Sequence, residues 1–258
     1  MTKQTKKLSA QPTVTTVNSG QKLPMVDGSG NVTLITPDNL KAGMIGTVNL
    51  NALEDGIFIM FHRKSDNFPL MVKPHKWTDY QNSGEVAEGV VLVEGGKCLV
   101  IAPTESTSNL YWSSAAISGG GFTTGDRMTA IGDWAGKANT AAQISASTTS
   151  AVTNTASYAP GFCNLYSKTN ANGNGLTAGK WWLPSMGEMM AIYANMLKIN
   201  YALSLISGAT QLVEDWYWTS TEGSATNAWY LNLSDGGMGG NPKATYAGHV
   251  RPVSAFIY

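Results

Sequence analysis

Two carboxylates and three imidazoles are the side chains whose positions invite an acid–base or metal reading. Glu188 and Glu222 are the candidates for general acid–base work. Glu188 stands three residues after Ser185, the spacing of a capping box, in which hydroxyl and carboxylate satisfy orphan helix amides reciprocally. Glu222 closes the run Trp216-Tyr217-Trp218-Thr219-Ser220-Thr221, where holding a loop by accepting backbone amides accounts for it without catalysis. Neither has a neighbouring carboxylate, so glycoside hydrolysis lacks its pair. His62, His75 and His249 have no metal-ligand spacing, and neither Cys98 nor Cys163 is near them. Gly120 and Gly125 have the outer spacing of a phosphate loop. Asp126-Arg127, however, stand where Lys and Ser/Thr are required, and an acidic residue there repels phosphate. A flexible loop is the expectation for Ser118-Gly119-Gly120-Gly121-Phe122. No catalytic residue, metal or cofactor is expected.

Recognition chemistry is better supplied. Residues 223–227 and 234–249 consist mainly of Gly, Ser, Thr, Ala, Asn and Asp with an occasional aromatic. Small adaptable polar groups around rigid aromatic anchors are the composition of a paratope. Trp229 and Tyr246 could stack on a pyranose ring, while Asn227, Asp235, Asn241 and Lys243 hydrogen-bond its hydroxyls. His249 joins them as a ligand contact, or caps the strand that enters Val250. These seven residues form the expected ligand-binding set.

The elements that must position them are mostly strands. Aromatic-rich runs at residues 216–222, 228–233 and 250–256 bracket the two loops, and rigid strands presenting polar loops are a recognition architecture. Upstream, residues 56–61 and 89–93 read as buried strands, and Gly95-Gly96 as a hairpin turn into residues 98–102. Trp181-Trp182 should point to opposite faces of a strand, one anchoring the core, although a sugar-stacking platform is the alternative. Asp133 is expected to cap a helix reaching about Ser145, with Trp134, Ala138, Ala141, Ala142 and Ile144 as its apolar positions. A second helix follows Ser185, with Met189, Ile192, Tyr193, Met196 and Leu197 on one face. A short third should stop at Gly208. Residues 13–17 and 31–35 are short β-prone runs, followed by a helical turn at 37–41. This segment either pairs with copies of itself, docks on a partner, or stays a disordered tail.

Composition limits the alternatives. The 258 residues are 43% hydrophobic but only 13% charged, with 17 basic against 17 acidic side chains. Nucleic-acid binding needs a basic face, and none is encoded. The basic start Lys3…Lys6-Lys7 is not followed by the apolar segment of a signal peptide, and no run is long enough to cross a bilayer. Synthesis and folding in the cytoplasm, with Cys98 and Cys163 as reduced thiols, are therefore expected.

An ordered series of motifs then becomes recognisable. Gly89-Val90-Val91-Leu92-Val93, Trp112-Ser113-Ser114-Ala115, Gly136-Lys137-Ala138-Asn139-Thr140, Trp182-Leu183-Pro184-Ser185, Tyr217-Trp218-Thr219-Ser220-Thr221-Glu222, Ala228-Trp229 and Val250-Arg251-Pro252-Val253 together resemble a bacterial domain family with the C-type-lectin-like fold. The resemblance covers roughly residues 84–258. It implies an α+β domain of mixed, mostly antiparallel sheets with two main helices and long loops. That fold is shared with formylglycine-generating enzymes and with variable proteins of diversity-generating retroelements, and the ligand face would lie at residues 223–227 and 234–249. The enzymes need paired cysteines in the C-terminal core, and this chain has none after Cys163. Asn241-Pro242-Lys243 replaces the Glu-Pro-Asn or Gln-Pro-Asp of calcium-dependent lectins, and a calcium ion beside Lys243 would lack oxygen ligands.

The N-terminal residues Val17-Asn18-Ser19-Gly20 and Leu23-Pro24-Met25-Val26-Asp27 look like attachment segments of tailed-phage fibres. The whole chain is similar to virion fibre proteins of crAss-like phages. By that resemblance it is a homotrimer in the virion, attached through its N-terminus to a capsid or tail protein, with its head binding a host-surface glycan or protein. The alternative is a purely structural fibre or decoration protein. The expected organisation is an N-terminal attachment and oligomerisation segment (residues 1–50), a β-rich connector (51–83) and the lectin-like domain (84–258).

Overall fold

A computed structural model describes residues 54–147 and 153–256, and the backbone of two short strands before them. Two compact units divide the chain between Ala52 and Leu53. In the first unit, β1 (Leu23–Val26) and β2 (Val32–Ile35) form an antiparallel hairpin that pairs Leu23 with Ile35. The run expected at 13–17 and the turn expected at 37–41 lie outside the described residues.

The second unit begins with β3 (Gly56–His62), β4 (Pro69–Val72), α1 (Trp77–Asn82), β5 (Gly89–Glu94), β6 (Lys97–Ile101) and β7 (Leu110–Tyr111). Next come α2 (Arg127–Ile131), α3 (Gly136–Ala146), α4 (Ala159–Leu165), β8 (Lys168–Thr169), β9 (Gly175–Leu176), α5 (Met186–Ala194) and α6 (Met196–Ser204). It ends in β10 (Trp216–Glu222), β11 (Asn227–Asn232), β12 (Met238–Pro242), β13 (Ala247–Gly248) and β14 (Val253–Ser254). Ladders between these strands are all antiparallel. The described fold is thus mixed α+β, with six helices instead of two main ones.

The largest sheet runs β14-β6-β5-β3-β4. Its two-residue turn at Gly95-Gly96 has φ of +56° and +75°, backbone that glycine adopts without a Cβ penalty. Period-two alternation gives the sheet two apolar faces. Ile59, Phe61, Val90, Leu92 and Ile101 join the main core, whereas Met60, Val91, Val93 and Val100 join Trp181 and Phe256 on the other side. Trp182 belongs to the main core and Trp181 to the second, so both tryptophans of the pair are packing residues. Residues 51–83, expected as a connector, supply β3, β4 and α1, and β3 pairs with β5 inside this sheet. Without β3, the Val90–Leu92 face would end at an unpaired strand edge.

A second sheet, β10-β11-β12, shares the main core through Tyr217, Trp229 and Leu231, with α5 packed between them and the rest. The capping box at Ser185 and Glu188 starts α5. α3 is the element the sequence misplaces. It starts at Gly136 with no side-chain cap, and its buried face carries Asn139, Thr140 and Gln143 while Ala138 and Ala141 are exposed. Apart from Gln143 Oε1, which is buried without a partner, this polar face is matched by polar groups: Gln143 Nε2 donates to Ser220 O (2.7 Å), Asn139 Oδ1 accepts Phe122 N–H (3.0 Å), and Thr140 Oγ1 accepts Leu183 N–H (3.1 Å). Asp133 ties the same region from below, accepting Asn139 Nδ2–H (2.8 Å) and the Thr221 hydroxyl (2.7 Å).

Candidate functional site

β10 carries three aromatics in succession, and alternation forbids burying all of them on one side. Tyr217 turns into the main core, and Trp218 is buried on the opposite face with its Nε1–H on Leu110 O (2.9 Å). Trp216, at the strand end, stays half-buried. The β10–β11 register then shifts between Trp218 and Glu222.

Glu222 is fully buried and carries the loops of this end of the domain. Its two carboxylate oxygens accept the amides of Gly119 and Gly121, each at 2.8 Å. The Ser118–Gly121 loop therefore does cradle an anion, but the anion is the chain's own. Lys243, also 0% exposed, faces the same carboxylate at 2.5 Å. Its ammonium also donates to the carbonyls of Ile117 (3.1 Å), Ser224 (3.2 Å) and Ala225 (2.9 Å), and lies 4.6 Å from the Trp112 ring centroid. Burial pulls that ammonium below the ordinary lysine range, and Glu222 opposes the shift. The pair is a clamp joining three loops.

Behind Trp216 lies a second polar cluster. Arg251 is wholly buried, with Nη2 on Glu105 (3.0 Å) and further donations to the carbonyls of Ala102, Thr210 and Gln211. Tyr217 donates its hydroxyl to Glu105 (2.7 Å), and burial followed by that carboxylate pushes its phenol well up. His249 bridges outward, with Nδ1 3.1 Å from Glu105 and Nε2 3.3 Å from Asp215.

In front of this cluster is a cleft of about 380 Å³ lined by Asn109, Asp215, Trp216, Thr245, Tyr246 and Ala247. The β7–β13 ladder pairs Tyr111 with Ala247 and Leu110 with Gly248, and Asn109, just before it, shares the cleft wall with Thr245, Tyr246 and Ala247. Tyr246 is 44% exposed. Its ring centroid lies 6.3 Å from that of Trp216, whose other neighbour, Tyr230, is at 4.2 Å. Burial, then Tyr246 and Asp235, hold the Tyr230 phenol above its ordinary range.

Of the seven residues expected to contact a ligand, only Tyr246 lines this cleft. Lys243 is removed from the surface, because its ammonium is consumed by the clamp. Trp229 is removed too: it is 7% exposed and donates its Nε1–H to Thr124 O (2.8 Å) from within the main core. His249 stands behind the cleft, held between two carboxylates. Asp235 is exposed, in a turn where it accepts Gly237 N–H (2.8 Å), while half-buried Asn227 and Asn241 sit on the β11–β12 ladder. The sequence reading missed Asn109, Asp215 and Trp216. The available signal was the alternation in Trp216-Tyr217-Trp218, which leaves one strand-end tryptophan without a buried face.

Glu188 and Glu222 are both engaged as hydrogen-bond acceptors inside the fold. Among the described residues, no group of three or more His, Cys, Asp and Glu side chains is placed to hold a metal ion. No helix among them is long and apolar enough to cross a membrane.

No family model and no curated protein matches the chain. Among solved structures, a fimbrial protein from Bacteroides ovatus ATCC 8483 is similar with a TM-score of 0.47 and 17% identity, over 61% of this chain. The alignment takes in 35% of the fimbrial chain, about a third of its length. A likeness that weak assigns neither fold nor function.

Proposed function

We propose that this chain is a virion fibre protein whose C-terminal domain, of the C-type-lectin-like kind, binds a ligand on the host cell surface non-covalently. The observation that carries the reading is the cleft in front of Trp216 and Tyr246. There, accessible aromatic rings and exposed polar side chains sit beside buried ionic clusters. Preorganised loops lose little entropy on binding, so a small cleft can still give useful affinity. The motif series that resembles the lectin-like family supports the fold assignment, and the N-terminal resemblance supports attachment to a capsid or tail protein. Assembly as a homotrimer would present three clefts together, and avidity could then multiply a weak single-site affinity by 10²–10⁴ or so.

The test is binding of labelled full-length protein to a panel of intact bacterial strains, beside Tyr246→Ala. Replacing residues 234–249 wholesale would be uninformative, since it deletes Lys243 and with it the clamp. Saturable binding to some strains that weakens in Tyr246→Ala supports the adhesin. No binding to any strain by correctly folded protein assigns the chain to a structural fibre.

A further inference from the structure

We infer that the Trp216–Tyr246 cleft is a saccharide site that accepts uncharged pyranosides and rejects acidic sugars. This rests on the adhesin reading above and names its ligand. Three features of the cleft carry the inference.

The first is the pair of rings. Trp216 is braced from behind by Tyr230 at 4.2 Å, and Tyr246 meets it at an interplanar angle of 47°. Two inclined faces form a corner, and the C–H face of a pyranose lies against such π-surfaces. At about 380 Å³ the cleft is at the small end of ligand sites, suited to one or two sugar rings.

The second is the mixture of polar groups. The Asn109 amide both donates and accepts, the Thr245 hydroxyl does the same, and Asp215 only accepts. A ring bearing several hydroxyls can pair with all three types at once, whereas a purely apolar ligand would strand them. Asp215 is fixed by its Oδ1, which accepts Trp216 N–H (2.7 Å), and its Oδ2 lies 3.3 Å from His249 Nε2, yet its side chain keeps 49% exposure. Free lone pairs therefore remain for a ligand hydroxyl.

The third is charge. None of the lining side chains is lysine or arginine, and the guanidinium of Arg251 is wholly buried, donating to Glu105 and three carbonyls. The His249 imidazole, 3.3 Å from Asp215, is shared with Glu105, so a carboxylate, sulfate or phosphate on the sugar would meet Asp215 with no lysine or arginine in the lining to offset it.

The experiment uses full-length protein and biotinylated polyacrylamide carriers of galactose, glucose, mannose or N-acetylglucosamine, with matched carriers of glucuronic and sialic acid. Binding is read by interferometry on wild type, Tyr246→Ala, Asp215→Asn and Asp215→Lys, each checked for an unchanged unfolding midpoint. The expected result is binding to at least one neutral carrier and to no acidic one. Tyr246→Ala and Asp215→Asn should each weaken it about tenfold, an aromatic face and a charge-assisted hydrogen bond each being worth that order. Asp215→Lys should gain acidic carriers. Preference of the wild type for acidic carriers, or neutral binding unchanged in both Tyr246→Ala and Asp215→Asn, overturns the inference. If the protein binds cells but no carrier, this inference fails and the adhesin reading stands. If it binds neither, both fail.

Discussion

Replacing Lys243 by methionine removes a charge that four acceptors now share. Its ammonium has three protons for Glu222 and for the carbonyls of Ile117, Ser224 and Ala225, all in a place without solvent exposure. After the substitution the Glu222 carboxylate keeps only the amides of Gly119 and Gly121 as donors, and three carbonyls lose a partner. Breaking a buried pair by removing one member costs about 3–5 kcal/mol, because the remaining charge is uncompensated. For a unit of this size, that lowers the melting temperature by roughly 10 °C. The assay is urea unfolding of wild type, Lys243→Met, Glu222→Gln and the double variant. Coupling between the two sites should reach about 2 kcal/mol, since each single change strands the other partner. The double variant should not return to wild type, because the loop amides and carbonyls still lack partners. A loss below about 1 kcal/mol in Lys243→Met, the range of an exposed pair, would refute the clamp.

Further outcomes are expected elsewhere in the domain. Burial raises the Glu188 carboxyl from 4.5 to about 7, against the amide of Ser185 and the indole N–H of Trp182 that favour its anion. The folded state therefore holds the proton more tightly, and this stability is complete below pH 4.5 and lost as pH rises through about 7, by about 3 kcal/mol. Glu188→Gln should flatten that part of the stability–pH curve, and an unchanged slope would count against the shift. Gln143→Leu keeps the volume but removes the donor to Ser220 O, and should cost about 1–3 kcal/mol in urea unfolding, whereas a gain would show the polar face of α3 to be dispensable. Burial lifts the Cys98 thiol to about 11 and the Cys163 thiol well above its usual range. Neither should react with a thiol reagent at pH 8 until the protein unfolds, and prompt labelling of native protein would contradict this.

Local signals were legible in the sequence wherever backbone geometry alone decides the outcome. Gly95-Gly96 specifies a two-residue hairpin, Ser185 and Glu188 specify a helix start, and the double tryptophan specifies side chains packed into two different cores, although the segment is no strand and Trp182 makes only an isolated bridge to Val253. α3 was misread because its apolar periodicity competes with a polar one. Asn139, Thr140 and Gln143 also recur at helical spacing, and only the hydrogen-bonding groups of β10 and the Leu183 segment decide which face goes inward. The loop-holding role of Glu222 was readable from its place at a strand end. Its cation was not, because Lys243 lies 21 residues away in a stretch that looks like a solvated loop. The cleft was hidden for a similar reason: Asn109 and Tyr246 share its wall beside a two-residue ladder that no local pattern announces.

The clamp grips main chain. Lys243 takes three loop carbonyls and Glu222 takes two loop amides, so the side chains of Ile117, Ser224 and Ala225 are not what is held. Gly119 and Gly121 are the exceptions, as a Cβ would stand 2.5 Å from the Trp112 ring at the first and 2.6 Å from Gln143 Nε2 at the second. Such an anchor is blind to the letters of the loops it fastens. Side chains of the fastened loops can change while the frame beneath them keeps its shape. Tolerance to change in those loops and their rigidity then come from the same two buried charges.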